Sequence, residues 1–167
     1  MPKLAPAQGT VTSHNIPRGY HGTRQTIEQM AKLADKYSKD VRIRDLAINI
    51  VRGVRERDHR GEVEAIFAWV KNRIRFVQDP YGKEWVQSPV KTLQIEAGDC
   101  DDISVLTGAL VRGIGYNAAF KTIKADKRIP QEFSHVYLMV FIDGQWVAAD
   151  ASQKRPLGWE PERHWGD

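Results

Sequence analysis

The chain has 167 residues, 41% of them hydrophobic and 28% charged, which is enough to bury one core and falls within the usual size of a single domain. No stretch approaches the run of about 18 apolar residues that a membrane span needs, and the opening Met1-Pro2-Lys3-Leu4-Ala5-Pro6 lacks the apolar segment of a secretory signal, so the sequence reads as a cytoplasmic protein with no membrane partner. Its single cysteine, Cys100, excludes an intramolecular disulfide and is a free thiol.

The formal charge of +4 is unevenly spread. Residues 1–75 carry 15 Lys and Arg against 8 Asp and Glu, whereas residues 76–167 carry 10 against 13. The basic residues are interleaved with acids inside helical patterns, so solvated helix faces are expected and nucleic acid is not an expected partner.

Residues 1–22 hold three prolines and three glycines with little periodicity, the composition of an extended arm. From about Arg24 the apolar residues Ile27, Met30, Ala31, Ala34 and Tyr37 recur at helical spacing. A second set follows at Val41, Leu46, Ala47, Ile50, Val51 and Val54. Val63, Ile66, Trp69, Val70 and Ile74, after a break at Gly61, predict a third helix that ends near Asp79-Pro80, because proline pushes the preceding residue out of helical geometry. Tyr81 to Gly98 reads as a long structured loop.

Gly98-Asp99-Cys100-Asp101-Asp102 then opens a fourth helix through Ile103, Leu106, Leu110 and Val111, with Gly113 and Gly115 at its end. Acids in the first turn and glycine at the close are the polarity that capping and the helix dipole favour. The remainder is strand-like over Ala118–Ile123, His135–Ile142 and Gln145–Ala149, with Asp143-Gly144 as a two-residue hairpin turn. Pro156 to Asp167, with Trp159 and Trp165, forms an irregular tail. The fold class is α+β: a helical N-terminal part and a central cysteine-bearing helix packed on an antiparallel sheet.

The hairpin carries a consequence for chemistry. A two-residue turn pairs Ile142 with Gln145, and therefore Tyr137 with Asp150 and His135 with Ser152. His135 and Asp150 then share one face as diagonal neighbours, about 7–8 Å apart at the backbone and within reach of each other's side chains. An aspartate so placed can fix the tautomer and orientation of a histidine. A thiol at a helix start gains about 0.3–1 kcal/mol of thiolate stabilisation from the dipole, too little to ionise it at neutral pH, so it needs a histidine partner. Asp99, Asp101 and Asp102 work against ionisation. Taken singly, Cys100 suits a buried structural thiol, His135 a core histidine and Asp150 a turn residue; together they suit a nucleophilic site. His14, His21, His59 and His164 show no ligand spacing, and Cys100 with His135 makes no closed zinc set.

Gly98-Asp99-Cys100-Asp101-Asp102 before an apolar helix, Ser134-His135-Val136-Tyr137, and Trp146-Val147-Ala148-Ala149-Asp150 together resemble the transglutaminase-like superfamily of papain-like fold, in its bacterial and phage branch. The resemblance covers Arg24 to Ser152 and implies a catalytic domain over 23–155 between the arm and the tail. It implies that Cys100 is the nucleophile, His135 the general base and acid, and Asp150 the orienting carboxylate. Oxyanion donors would be the Cys100 backbone N–H and a group on the preceding loop: Gln87, with Gln94 and Trp85 as rivals.

Some bacterial peptidases of this superfamily bind calcium through acids flanking the cysteine, and Asp99 and Asp101 occupy those positions. Hard oxygen ligands suit that ion, and capping of the helix is the competing role; no cofactor is otherwise expected. A protein or peptide is the expected substrate. Hydrolysis of an amide and transfer of the acyl group to an amine share every residue named. The short chain favours hydrolysis, and a catalytically silent module that keeps the fold is the remaining alternative.

Overall fold

In the computed structural model the described residues are 12–13, 20–78 and 85–161. The elements run β1 (Thr12–Ser13), α1 (Tyr20–Ser38), α2 (Val41–Val51), α3 (His59–Arg73), β2 (Arg75–Phe76), β3 (Trp85–Val86), α4 (Pro89–Ile95), β4 (Ala97–Gly98), α5 (Cys100–Gly113), β5 (Ala118–Ile123), β6 (His135–Ile142) and β7 (Gln145–Ala149). Thr12–Ser13 pairs antiparallel with β3, and Tyr20 to Gly22 belong to α1; the rest of the expected N-terminal arm lies outside the described residues, as do Asp79-Pro80 and Trp165.

Helix α5 is the centre of the molecule. Every residue from Asp102 to Val111 is buried, because α1, α2, α3 and α4 pack on it from one side and the three-stranded sheet β5-β6-β7 covers the other. Leu106 and Leu110 are fully buried in a core shared with Ile43, Ile66, Val70, Leu138 and Val140. Each such side chain contributes about 1.5–3 kcal/mol over exposure. Among the described residues no helix is long and apolar enough to cross a membrane.

The three expected strands stand at the bounds read from the sequence, and the register is the one the hairpin dictated from Ile142 opposite Gln145 to Leu138 opposite Ala149; the ladder stops there, before the expected pairs of Tyr137 with Asp150 and His135 with Ser152. Asp143 (φ 48°) and Gly144 (φ 83°) both take positive φ, the requirement of the turn whose twist matches a right-handed hairpin.

Three expectations need correction. Gly61 is not a break: α3 begins at His59 behind the cap Asp58, and the Gly61 N–H donates to Asp58 Oδ1 at 2.9 Å. The same helix stops at Arg73, short of the expected end, because Ile74 turns extended and the chain pairs parallel with β4, Arg75 opposite Ala97 and Phe76 opposite Gly98. The loop after it contains a helix, α4, capped by the Ser88 side chain, with Pro89 at its start and with Pro89, Val90, Thr92 and Leu93 buried.

The tail is anchored in its first part. Leu157 joins the core, the Gly158 N–H donates to the Ala148 carbonyl at 2.8 Å, and the Arg155 guanidinium lies 5.2 Å from the Trp159 ring centre.

Candidate active site

Strand β4 delivers the chain to the start of α5, and Asp99 caps it. The Asp99 carboxylate accepts from the N–H groups of Asp101 (2.9 Å) and Asp102 (3.1 Å), and its carbonyl accepts from Ile103. Of the four N–H groups that a helix start leaves without intrahelical partners, those of Asp99 to Asp102, the Asp99 carboxylate takes the third and fourth. The second is that of Cys100 itself.

Asp102 closes the box by accepting from the Asp99 N–H at 3.2 Å. It is also the anchor for the preceding loop. Its Oδ1 accepts the Gln87 N–H at 2.7 Å and its Oδ2 accepts Gln87 Nε2–H, also at 2.7 Å, in a site where Asp102 is 1% exposed. Gln87 reaches the Ala97 carbonyl more weakly, at 3.4 Å. Gly98 is the residue that permits this closure, since a Cβ there would stand 2.6 Å from the Asp102 Cβ.

At the start of β6, His135 Nε2 lies 2.6 Å from Asp150 Oδ2, with side chains 12% and 2% exposed. A carboxylate acceptor places the proton on Nε2, so in the neutral ring Nδ1 carries the free lone pair. The other Asp150 oxygen, Oδ1, accepts from the Ser152 hydroxyl at 2.6 Å and the Ser152 N–H at 3.2 Å. Tyr137, 1% exposed, stacks against the His135 ring at 5.9 Å and donates to Glu160 at 3.0 Å; Lys121 holds the same carboxylate at 2.9 Å. The anchored tail therefore supports the histidine from behind.

Cys100 is packed with Met30, Val86, Val105 and Val136, the last of these next in the chain after His135. The thiol lies 3.6 Å from Asp101 Oδ1 and donates to it. Burial pushes the Cys100 thiol far up from its ordinary range, the charges of Asp101 and then Asp99 push it further, and the Val136 N–H opposes them. Burial and both flanking carboxylates therefore oppose a resting thiolate.

The other expected loop candidates are placed less informatively. Gln94 is exposed on α4. Trp85 contributes its backbone to β3, and its side chain lies outside the described set. Of Asp99 and Asp101, named above for calcium or for capping, Asp99 serves as the cap, one of its oxygens accepting two N–H donors; among the described residues no group of three or more His, Cys, Asp or Glu could hold a metal ion. The site residues that sequence reasoning missed are Ser152 and Asp102. The spacing Asp150-x-Ser152 is the available signal for the first, since short polar side chains bond across such turns.

The profile described as Transglutaminase-like superfamily matches residues 44–151, which hold α3, α5 and the whole β5-β6-β7 sheet. The chain belongs to the transglutaminase-like superfamily. No curated protein matches it significantly. Among solved structures, a proposed cysteine protease from Cytophaga hutchinsonii superposes with TM-score 0.56 at 23% identity, over 78% of this chain and 47% of that one. A proposed protease from Parabacteroides distasonis gives TM-score 0.62 at 9% identity, over 90% of this chain and 36% of that one. Calcium-bound LapG of Legionella pneumophila gives 0.53 at 18% identity, over 79% and 76%. At these identities the likeness is one of fold. This transglutaminase-like chain spans less than half the length of the first two neighbours.

Proposed function

We propose that the protein is a cysteine peptidase or amidase that cleaves its protein or peptide substrate through a thioester, with Cys100 as nucleophile, His135 as base and acid, and Asp150 as the orienting carboxylate. The observation that carries this reading is the buried His135–Asp150 pair at 2.6 Å, with His135 on the strand whose next residue, Val136, packs with Cys100. The two protease-like neighbours of the same fold support hydrolysis, and their bacterial origin agrees with the bacterial or phage branch expected for this chain.

The thiol sulfur attacks the amide carbonyl carbon while its proton passes to His135 Nδ1. A preformed thiolate is opposed by burial and by Asp101 and Asp99, so proton transfer accompanies attack. The developing oxyanion is received by the Cys100 N–H. Gln87 is our choice for the second donor: its Nε2 can turn one hydrogen from the Ala97 carbonyl, the longer of its two contacts, while the Asp102 bond holds it in place. Collapse expels the amine, which takes the proton from His135 and leaves a thioester on Cys100. Water then loses a proton to His135, attacks the thioester, and frees a carboxylic acid and the thiol.

Transfer of the acyl group to an amine uses the same first half, and the Asp101 carboxylate beside the sulfur gives an approaching ammonium group an electrostatic partner. Incubation with a mixed peptide library, with and without a primary amine, tests both. New peptide N-termini that vanish in Cys100→Ala establish hydrolysis, and Cys100-dependent amine incorporation establishes transfer. A folded wild-type chain that gives neither product would return the protein to the class of silent modules.

A further inference from the structure

We propose that Ser152 is a positioning residue that holds Asp150 in the orientation it needs to direct His135, an inference that rests on the reading of the site given above. The Asp150 carboxylate has two oxygens with separate duties. Oδ2 meets His135 Nε2 at 2.6 Å, and Oδ1 is clamped twice by one residue, through the Ser152 hydroxyl at 2.6 Å and the Ser152 N–H at 3.2 Å.

The clamp matters because of where Asp150 sits. It follows the last residue of β7, beyond the end of the strand ladder, so its main chain is not held by a β6 partner. With the carboxylate 2% exposed, solvent has little access to replace a lost donor, and an underbonded buried carboxylate rotates or recruits a proton. Two donors from one side fix the carboxylate plane, and the plane fixes the direction in which the imidazole Nε2–H must point. The imidazole in turn presents Nδ1 at a set angle. Ser152 touches neither the sulfur nor the substrate in this account; it acts through Asp150.

The test uses the full chain and iodoacetamide as the probe, because Cys100 is the one cysteine and its alkylation is read directly by intact mass. The rate is measured at pH 7 in wild type, Ser152→Ala and Ser152→Thr, together with the low-field proton resonance of His135 Nε2–H and the melting temperature. Ser152→Ala is expected to slow alkylation about tenfold, the effect of losing one strong hydrogen bond to a charged group, and to shift or broaden the Nε2–H resonance while melting stays close to wild type. Ser152→Thr, which keeps the hydroxyl, is expected to restore both.

Should Ser152→Ala fail to fold, Ser152→Gly removes the same hydroxyl without a side chain to place. Wild-type rate and an unchanged resonance in a folded hydroxyl-free variant would overturn the proposal. If instead the wild-type rate proves independent of His135, the catalytic reading fails, and the Nε2–H resonance alone still decides whether Ser152 holds the pair.

Discussion

His135 and Asp150 meet at 2.6 Å through Nε2 and Oδ2, and the hairpin that joins them sets that meeting by register. Because Ile142 lies opposite Gln145, the two side chains fall on one face by the alternation of a strand. Asp150→Asn preserves the shape of the carboxylate but offers an amide that can donate, and it permits the wrong imidazole tautomer. Peptide turnover is expected to fall on the order of 10²–10⁴, with melting close to wild type. Full turnover in this variant would remove Asp150 from the site.

The acids beside the cysteine have a signed effect on its thiol. Asp101 lies 3.6 Å from the sulfur and pushes the thiol up. Asp101→Asn therefore lowers the thiol toward its ordinary range and raises the thiolate fraction at any fixed pH below it. In a His135→Ala background, where the imidazole no longer competes, adding Asp101→Asn should speed iodoacetamide alkylation by about three- to tenfold. An unchanged or slower rate would show that the carboxylate does not act on the sulfur.

Gln87 has two tasks in this account, and its removal should register in two ways. Gln87→Ala deprives the buried Asp102 of the Gln87 Nε2–H donor, at an expected cost of about 1–3 kcal/mol in denaturant titration. It also takes away an oxyanion donor, with an expected loss of about 10²–10³ in turnover. Lost stability with intact turnover would leave Gln87 as a buttress only.

A second histidine–aspartate contact ties the same hairpin to α3. His59 Nδ1 and Asp143 Oδ1 are 2.6 Å apart, both exposed, and the Asp143 hydrogen bond and charge, assisted by Glu62 and Asp58, raise the His59 imidazole above its ordinary value of 6.5. A raised folded-state value means that the stabilisation is fully present below the unfolded-state value and is lost as pH rises through the folded one. The melting difference between wild type and His59→Gln should accordingly be larger at pH 5.5 than at pH 9. A difference independent of pH would show that the contact does not titrate.

The parts of the fold that were legible in the sequence are those governed by local rules. Asp143-Gly144 announces its turn, and from it follow the register and the His135–Asp150 pair. The acidic first turn and apolar stripe of α5 place Cys100 at a helix start. What escaped was set by partners distant in sequence. Arg75 and Phe76 follow a helical pattern yet leave it to pair with Ala97 and Gly98. Ser88-Pro89 is a readable helix start, but so short a helix depends on the tertiary burial of Val90, Thr92 and Leu93. The bonds of Gln87 to Asp102 depend on bringing a loop against a helix start, for which no spacing rule exists.

The most direct test of the central claim is the alkylation rate of Cys100 by iodoacetamide at pH 7 in the folded wild-type chain and in His135→Ala. Burial and the flanking carboxylates push this thiol up, so in this account its reactivity at pH 7 comes from the imidazole. The account predicts that the native chain reacts and that the variant reacts at least about tenfold more slowly. Equal rates, or a thiol that reacts only once the protein unfolds, would contradict it.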